Sequence, residues 1–136
     1  MAVKSLLDIN IWLDIATRPD LFPESLTYFR HLCELSIPGF PLCGYTTFYY
    51  LACKSIGQKA AQEFLQRLER QGVDYVSFEQ KDLVLAKSME FKDEENACIA
   101  ACAARNGYSL IVTRNKKDFK KSPIAVRTPS ELVLTS

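Results

Sequence analysis

The chain has 136 residues, of which 48% are hydrophobic and 24% charged, the size and balance of one compact globular domain with an ordinary core. Its net charge is +1, so no global positive field advertises nucleic acid, and any such contact needs a local patch. Five cysteines, at positions 33, 43, 53, 98 and 102, form no CxxC pair, and their odd number speaks against a complete disulfide framework; with His31 as the one histidine, too few ligands are left for zinc. No apolar run is long enough to span a bilayer and no signal peptide opens the chain, so the sequence reads as a cytoplasmic protein without membrane contact.

In chain order, residues 3–8 form a short apolar run closed by Asp8, which predicts a buried parallel strand. Residues 9–16 continue as a helical turn or two until Arg18-Pro19-Asp20 breaks them. Pro23 suits a first helical turn and opens a helix to about Ser36, with Leu26, Phe29, Leu32, Cys33 and Leu35 on its apolar side. Residues 41–44 are read as a second strand, residues 45–55 as an aromatic-rich helix stopped by Gly57, and residues 58–70 as a strongly periodic helix capped by Gly72. A third strand (73–78), a helix (79–89) and an Ala/Cys-rich helix (93–106) follow, and Gly107 suits the C-terminal cap of the last. A fourth strand (108–113), a short helical turn (115–119), a fifth strand (124–127) and a final helix starting at Thr128-Pro129 complete the chain. Strands alternating with helices at these lengths imply a single α/β domain over residues 1–136, built as a parallel, three-layer α/β/α sandwich without linker or repeat.

Three polar clusters punctuate that pattern: Asp8; Asp93-Glu94-Glu95-Asn96; and Thr113, Arg114, Asn115 and Asp118. In a parallel sheet all three can reach the carboxyl ends of the strands, where such folds place their sites. Carboxylates converging from distant segments usually mean a hard divalent cation. Each cluster also has a local role open to it. Asp8 suits an N-cap, the 93–96 acids complement a helix dipole, and Asn115 with Asp118 mimics a capping box. Helical geometry favours Asn96 or Asp93 on the face toward Asp8, with Glu95 rotated by roughly 100°. Arg114 to Lys117 with Lys120 and Lys121 form a basic patch for nucleic acid or a solvated turn. A phosphatase or phosphotransfer domain using Asp8 alone lacks its partners, since Asn10 stands where a second aspartate is needed and no acidic pair is evident in the first-strand region. Cys98 and Cys102 read as small helix-packing residues, and Trp12 either lines the site mouth or packs. About half of Tyr45, Phe48, Tyr49 and Tyr50 belong to the core, leaving the rest for a partner surface.

The segments L-L-D-I-N-I-W-L-D, N-A-C-I-A-A-C-A-A and I-V-T-R-N-K-K-D-F, in that order and followed by I-A-V-R-T-P-S-E-L, resemble a PIN domain of the bacterial type found among VapC-like toxins. The likeness runs over nearly the whole chain, and T-R-N-K-K-D-F is its most specific piece. It implies a five-stranded parallel sheet of order 3-2-1-4-5, three or four acids holding Mg²⁺ or Mn²⁺, and single-strand endoribonuclease activity. Asp8 matches the first acid. The second acid's place falls on Thr46 or Thr47, the third on Asn96 with Glu95 and Asp93 adjacent, and the fourth on Asn115 or Asp118. The resemblance thus implies Asp8, Glu95, Asn96 and Asp118 as catalytic residues, and Asp93 and Asn115 with these four as the metal's surroundings. Arg114, Lys116 and Thr47 would meet RNA. A homodimer and a small antitoxin protein are the implied partners. Because neutral groups replace two of the acids, a catalytically decayed RNA-binding or regulatory module is the alternative.

Overall fold

A computed structural model describes residues 4–135. Five short strands, β1 (Ser5–Leu7), β2 (Gly39–Pro41), β3 (Asp74–Val76), β4 (Leu110–Val112) and β5 (Ala125–Arg127), pair in parallel as one sheet of order β3-β2-β1-β4-β5. The helices α1 (Ile9–Thr17), α2 (Pro23–Leu35), α3 (Tyr45–Ile56), α4 (Gln58–Arg70), α5 (Gln80–Ser88), α6 (Glu94–Arg105) and α7 (Pro129–Thr135) cover both faces of that sheet. Two 3-10 turns, Leu42–Gly44 and Lys116–Phe119, lead out of β2 and β4. The three-layer α/β/α architecture is that read from the alternation of elements, and the strand order is the one the resemblance implies. Val3, the predicted start of the first strand, lies outside the described residues.

The central strands are apolar for a physical reason. Parallel strands flanked by helices on both faces have no wet side, so Leu6, Leu7, Ile111 and Val112 are all fully buried. Most predicted elements differ from the observed ones by a residue or two at their ends, where the last hydrogen bonds fray. The second strand is the exception. It lies at Gly39–Pro41 rather than 41–44, and Leu42–Gly44 winds into a 3-10 turn. The register pairs Leu6 with Gly39 and Pro41 with Val76. At Gly39 a Cβ would sit 2.7 Å from the Tyr108 ring, so the strand passes there only because the residue is glycine.

An aromatic cluster forms the core on one face. Trp12, fully buried, has its ring centroid 5.3 Å from those of both Phe29 and Phe40, and its role is packing. Phe48 joins them, whereas Tyr45 and Tyr49 stack on each other half-buried and Tyr50 points to solvent. Cys98 and Cys102 are buried on α6 among alanines, and His31 is exposed on α2. Among the described residues, no helix is long and apolar enough to cross a membrane.

Candidate functional site

The site begins where β1 ends. Asp8 extends the strand ladder by one backbone bond to Val112 (2.9 Å) and serves as the N-cap of α1. Its carboxylate is almost wholly buried, 4% exposed, with Oδ1 accepting from the Ile9 amide at 2.8 Å and Oδ2 from the Thr113 hydroxyl at 2.9 Å. Thr113 directly follows β4, and because Leu7 pairs with Val112 the next residues, Asp8 and Thr113, face each other across the sheet's edge. The same hydroxyl accepts from the Asn115 amide at 3.1 Å. N-cap duty and a site position therefore coincide in Asp8.

Asp8 is pushed up to about 6 from its ordinary 3.8. Burial is the main cause, and the Thr113 and Ile9 hydrogen bonds oppose it. Glu95 and then Asp93 add like-charge repulsion, which places both carboxylates within electrostatic reach of Asp8. Glu95 sits in the first turn of α6 and accepts from the Thr47 hydroxyl of α3 at 2.7 Å. A Cβ on Gly44 would collide with Ile9 and stand 3.8 Å from Glu95 Oε1, so the bare backbone at Gly44 leaves the space these side chains use.

The helical-face expectation changes for Asp93. Asp93 is the exposed N-cap of α6, its Oδ1 turned to the Asn96 amide at 3.1 Å, and Asn96 is half-buried. Glu95, not Asp93, exerts the stronger repulsion on Asp8. Outside α6, α3 presents Thr47 as a hydroxyl donor to the Glu95 carboxylate. Thr46, the other position open for the second acid, is exposed. A second expectation also changes. Asn115 precedes the 3-10 turn without a side-chain cap, and the 115–118 link is the backbone bond from the Asp118 amide to the Asn115 carbonyl (3.0 Å) rather than a capping box. Asn115 and Asp118 are exposed. Asp118 and Asp93 line one open cleft of about 510 Å³ together with Glu90, Phe91, Lys92, Lys117, Lys120 and Lys121.

The two cations named for RNA contact are both engaged. Arg114 grips the fully buried Asp14 through Nε at 2.7 Å and Nη2 at 3.2 Å, and stacks its guanidinium 3.9 Å from the centre of the Phe22 ring. Lys116 pairs with Glu131 at 3.2 Å. Sequence reasoning missed Asp14 as the anchor of Arg114, and Thr113 as the donor to Asp8. The second follows from strand register, which a single sequence does not reveal. Among the described residues, no three His, Cys, Asp or Glu side chains are arranged to hold a metal ion.

The sheet order and the helical layers on both of its faces are those of a PIN/VapC-like fold. In particular, the chain is similar to a chain in the crystal structure of VapBC2 from Rickettsia felis bound to a promoter DNA fragment, with a TM-score of 0.73 at 16% identity, covering 93% of this chain and 98% of that one. It is also similar to DNA-bound VapBC from Salmonella typhimurium (TM-score 0.70, 15% identity, 93% and 98% covered) and to FitAcB from Neisseria gonorrhoeae (0.66, 16%, 93% and 98%). At these identities the likeness is one of fold. No protein-family profile matches the chain, and no curated protein matches it in sequence.

Proposed function

We propose that the protein is a metal-dependent endoribonuclease acting on single-stranded RNA, restrained by a small antitoxin protein. The observation that carries this reading is the buried Asp8 with Glu95, bonded by Thr47, within electrostatic reach of it, two carboxylates whose mutual repulsion a cation would relieve. The donor set fits Mg²⁺ or Mn²⁺ bound through few protein oxygens, because Mg²⁺ is commonly held by one or two carboxylates and keeps several waters. Asp8 and Glu95 would be the inner carboxylates, with Asp93, Asn96, Asn115 and Asp118 around them. When bound, the ion supplies polarisation of the scissile phosphate and a water of lowered pKa.

The chain's own residues do the rest. Thr113 and the Ile9 amide fix the Asp8 carboxylate, and Thr47 fixes that of Glu95, so neither must reorganise as charge develops. Glu95, less buried than Asp8, would take the proton from an attacking water. Lys92, Lys117 and Lys120 line the cleft beside Asp93 and Asp118 and would meet phosphate oxygens there. Arg114 and Lys116 would contribute by sharing their charges with Asp14 and Glu131. The half-buried Tyr45 and Tyr49 with exposed Tyr50 and Leu51 on α3 offer an apolar surface for an antitoxin segment or a second copy of the chain.

The decayed-module reading has one observation in its favour, since no three-ligand cage exists among the described residues. Calorimetry with Mn²⁺ decides between them. Saturable binding that Asp8→Asn abolishes, together with Mn²⁺-dependent cleavage of a single-stranded RNA, supports the nuclease. RNA binding without either supports the module.

A further inference from the structure

The connection between α5 and α6 and the segment after β4 together wall the open cleft of about 510 Å³. Two contacts tie the walls. The Phe91 ring meets the buried Phe119 ring edge to face, with centroids 5.9 Å apart and planes at 82°, and the Glu90 carboxylate pairs with Lys121 at 3.3 Å. Glu90 takes φ +57°, the one residue other than glycine with a positive φ among the described residues. Backbone of that kind persists where its surroundings over-determine it, and it gathers at functional sites. Here it immediately precedes Phe91, the aromatic residue of the cleft wall, which stays half-buried between exposed Glu90 and exposed Lys92. With Glu90 matched by Lys121, the cleft keeps Lys92, Lys117 and Lys120 against Asp93 and Asp118. Those three lysines are exposed and, among the described residues, enter no ion pair.

We propose that Phe91 is a stacking platform for one unpaired base of an RNA strand whose flanking phosphates lie on Lys92, Lys117 and Lys120. This rests on the reading of the chain as a protein that engages single-stranded RNA, and it adds where the strand lies. Asp93 lines the cleft and also belongs to the electrostatic surroundings of Asp8, so a strand seated on Phe91 borders the candidate acids.

An aromatic ring beside cations is what a single strand uses, since the ring takes the base and the cations take the backbone. Every base has a π-face, so such a platform tolerates sequence. A duplex offers it nothing, because its bases are already stacked on their neighbours. An acidic peptide would use the lysines and leave the ring idle. The cleft's volume also falls within the ~300–1,000 Å³ of ordinary ligand pockets. The alternative is that Phe91 is only the rim of the core, packed on Phe119. The two differ in whether removing the base, with every phosphate kept, weakens binding.

The test measures binding of fluorescein-labelled RNA to the full chain by anisotropy in EDTA, so that no cleavage enters. The probes are hexauridylate, the same hexamer with abasic riboses, and a GC-rich RNA duplex. Hexauridylate should bind the wild type about 10–100-fold more tightly than the abasic hexamer, and the duplex should bind no better than the abasic hexamer. Phe91→Leu should remove the preference for bases and leave the affinity for the abasic hexamer. Three phosphates at about −0.7 each give a log–log salt slope of about −2, and Lys92→Ala should make it shallower by about 0.7. Phe91→Trp should keep the preference, and unlabelled hexauridylate should quench its fluorescence while leaving that of the fully buried Trp12 in the wild type unchanged. Equal binding of hexauridylate and abasic hexamer by the wild type overturns the platform and leaves the RNA reading intact; this readout needs no variant to fold. A preference that survives Phe91→Leu places the base elsewhere and overturns it too. Tighter binding of hexadeoxyuridylate than of hexauridylate overturns RNA as the strand. No RNA binding either in EDTA or with Mn²⁺ overturns the platform together with the reading it rests on.

Discussion

Asp8→Asn separates what this carboxylate costs the fold from what it offers a cation. A carboxyl that titrates at 3.8 in an open chain and at about 6 when folded makes the ionised native form about 3 kcal/mol less favourable. The folded pKa is the higher one, so the folded state keeps the proton longer than the unfolded state. The contribution of Asp8 to stability is therefore greatest below 3.8, falls through the window from 3.8 to about 6, and stays low above it. Asparagine does not ionise and escapes that loss. Its amide group does meet a donor at either the Ile9 or the Thr113 position, at a pH-independent cost of about 1–2 kcal/mol.

The pH dependence isolates the charge. Urea denaturation of both proteins at about pH 4 and about pH 8 should show the difference in unfolding free energy moving in the variant's favour by about 2–3 kcal/mol. Titrations shared by the two proteins cancel in that comparison. A difference that stays flat across the interval refutes a buried, ionisable Asp8. Adding Mn²⁺ at the higher pH should stabilise the wild type selectively, because a ligand that binds only the native state adds to its stability. Equal stabilisation of Asp8→Asn would remove Asp8 from the metal's surroundings.

Three further substitutions probe the supports. Thr47→Val keeps the volume but removes the hydroxyl 2.7 Å from Glu95; Mn²⁺ affinity by calorimetry should fall about 10–100-fold, while stability changes by no more than about 1–2 kcal/mol. Asp14→Asn weakens a buried acceptor of Arg114, Arg18 and Ser25, and should cost about 3 kcal/mol by denaturation, the low end for buried pairs because both arginines keep some solvent. Gly39→Ala drives a methyl group against the Tyr108 ring, which is itself hydrogen-bonded to Asp74, and should cost about 1–3 kcal/mol; Tyr108→Leu in the same chain should recover part of it.

The fold was legible because its signals are local and agree with one another. Apolar runs of strand length alternate with helical periods, and α4 matches its predicted limits, 58–70, because Gly57 and Gly72 bracket it at φ values of +90° and +80°. The second strand was misplaced because Pro38 and Gly39 look like helix punctuation; its true position depends on Tyr108, a residue 69 positions away in sequence (108 minus 39). The candidate site was legible as single residues but not in the contacts between them. Asp8, Glu95 and Thr47 could be singled out one by one, yet the bond that joins Glu95 to the Thr47 hydroxyl of α3 links residues 48 positions apart. Arg114 was read as free for RNA because its partner, Asp14, sits 100 residues earlier inside what reads as an ordinary helix.

Position 47 shows how an acidic site can be retuned by a neutral residue. A carboxylate there, on the helix position that now bonds Glu95, would add a third mutually repelling charge to Glu95 and Asp8, and at neutral pH such a pair shares a proton unless a cation intervenes. Threonine instead donates to Glu95, which holds the rotamer and leaves one negative charge fewer. On the proposed reading, the resting site would thereby be relaxed at the expense of its pull on a divalent ion. Thr47→Glu should reverse both terms. The metal-free variant should lose stability on going from about pH 5 to about pH 8 more steeply than the wild type, since it keeps an extra proton when folded. Its Mn²⁺ affinity should rise by about tenfold, the equivalent of roughly 1.4 kcal/mol. An unchanged affinity together with an unchanged pH slope would show that residue 47 does not share a field with Asp8 and Glu95, and the Thr47–Glu95 bond would then be a packing feature of α3 and α6 alone.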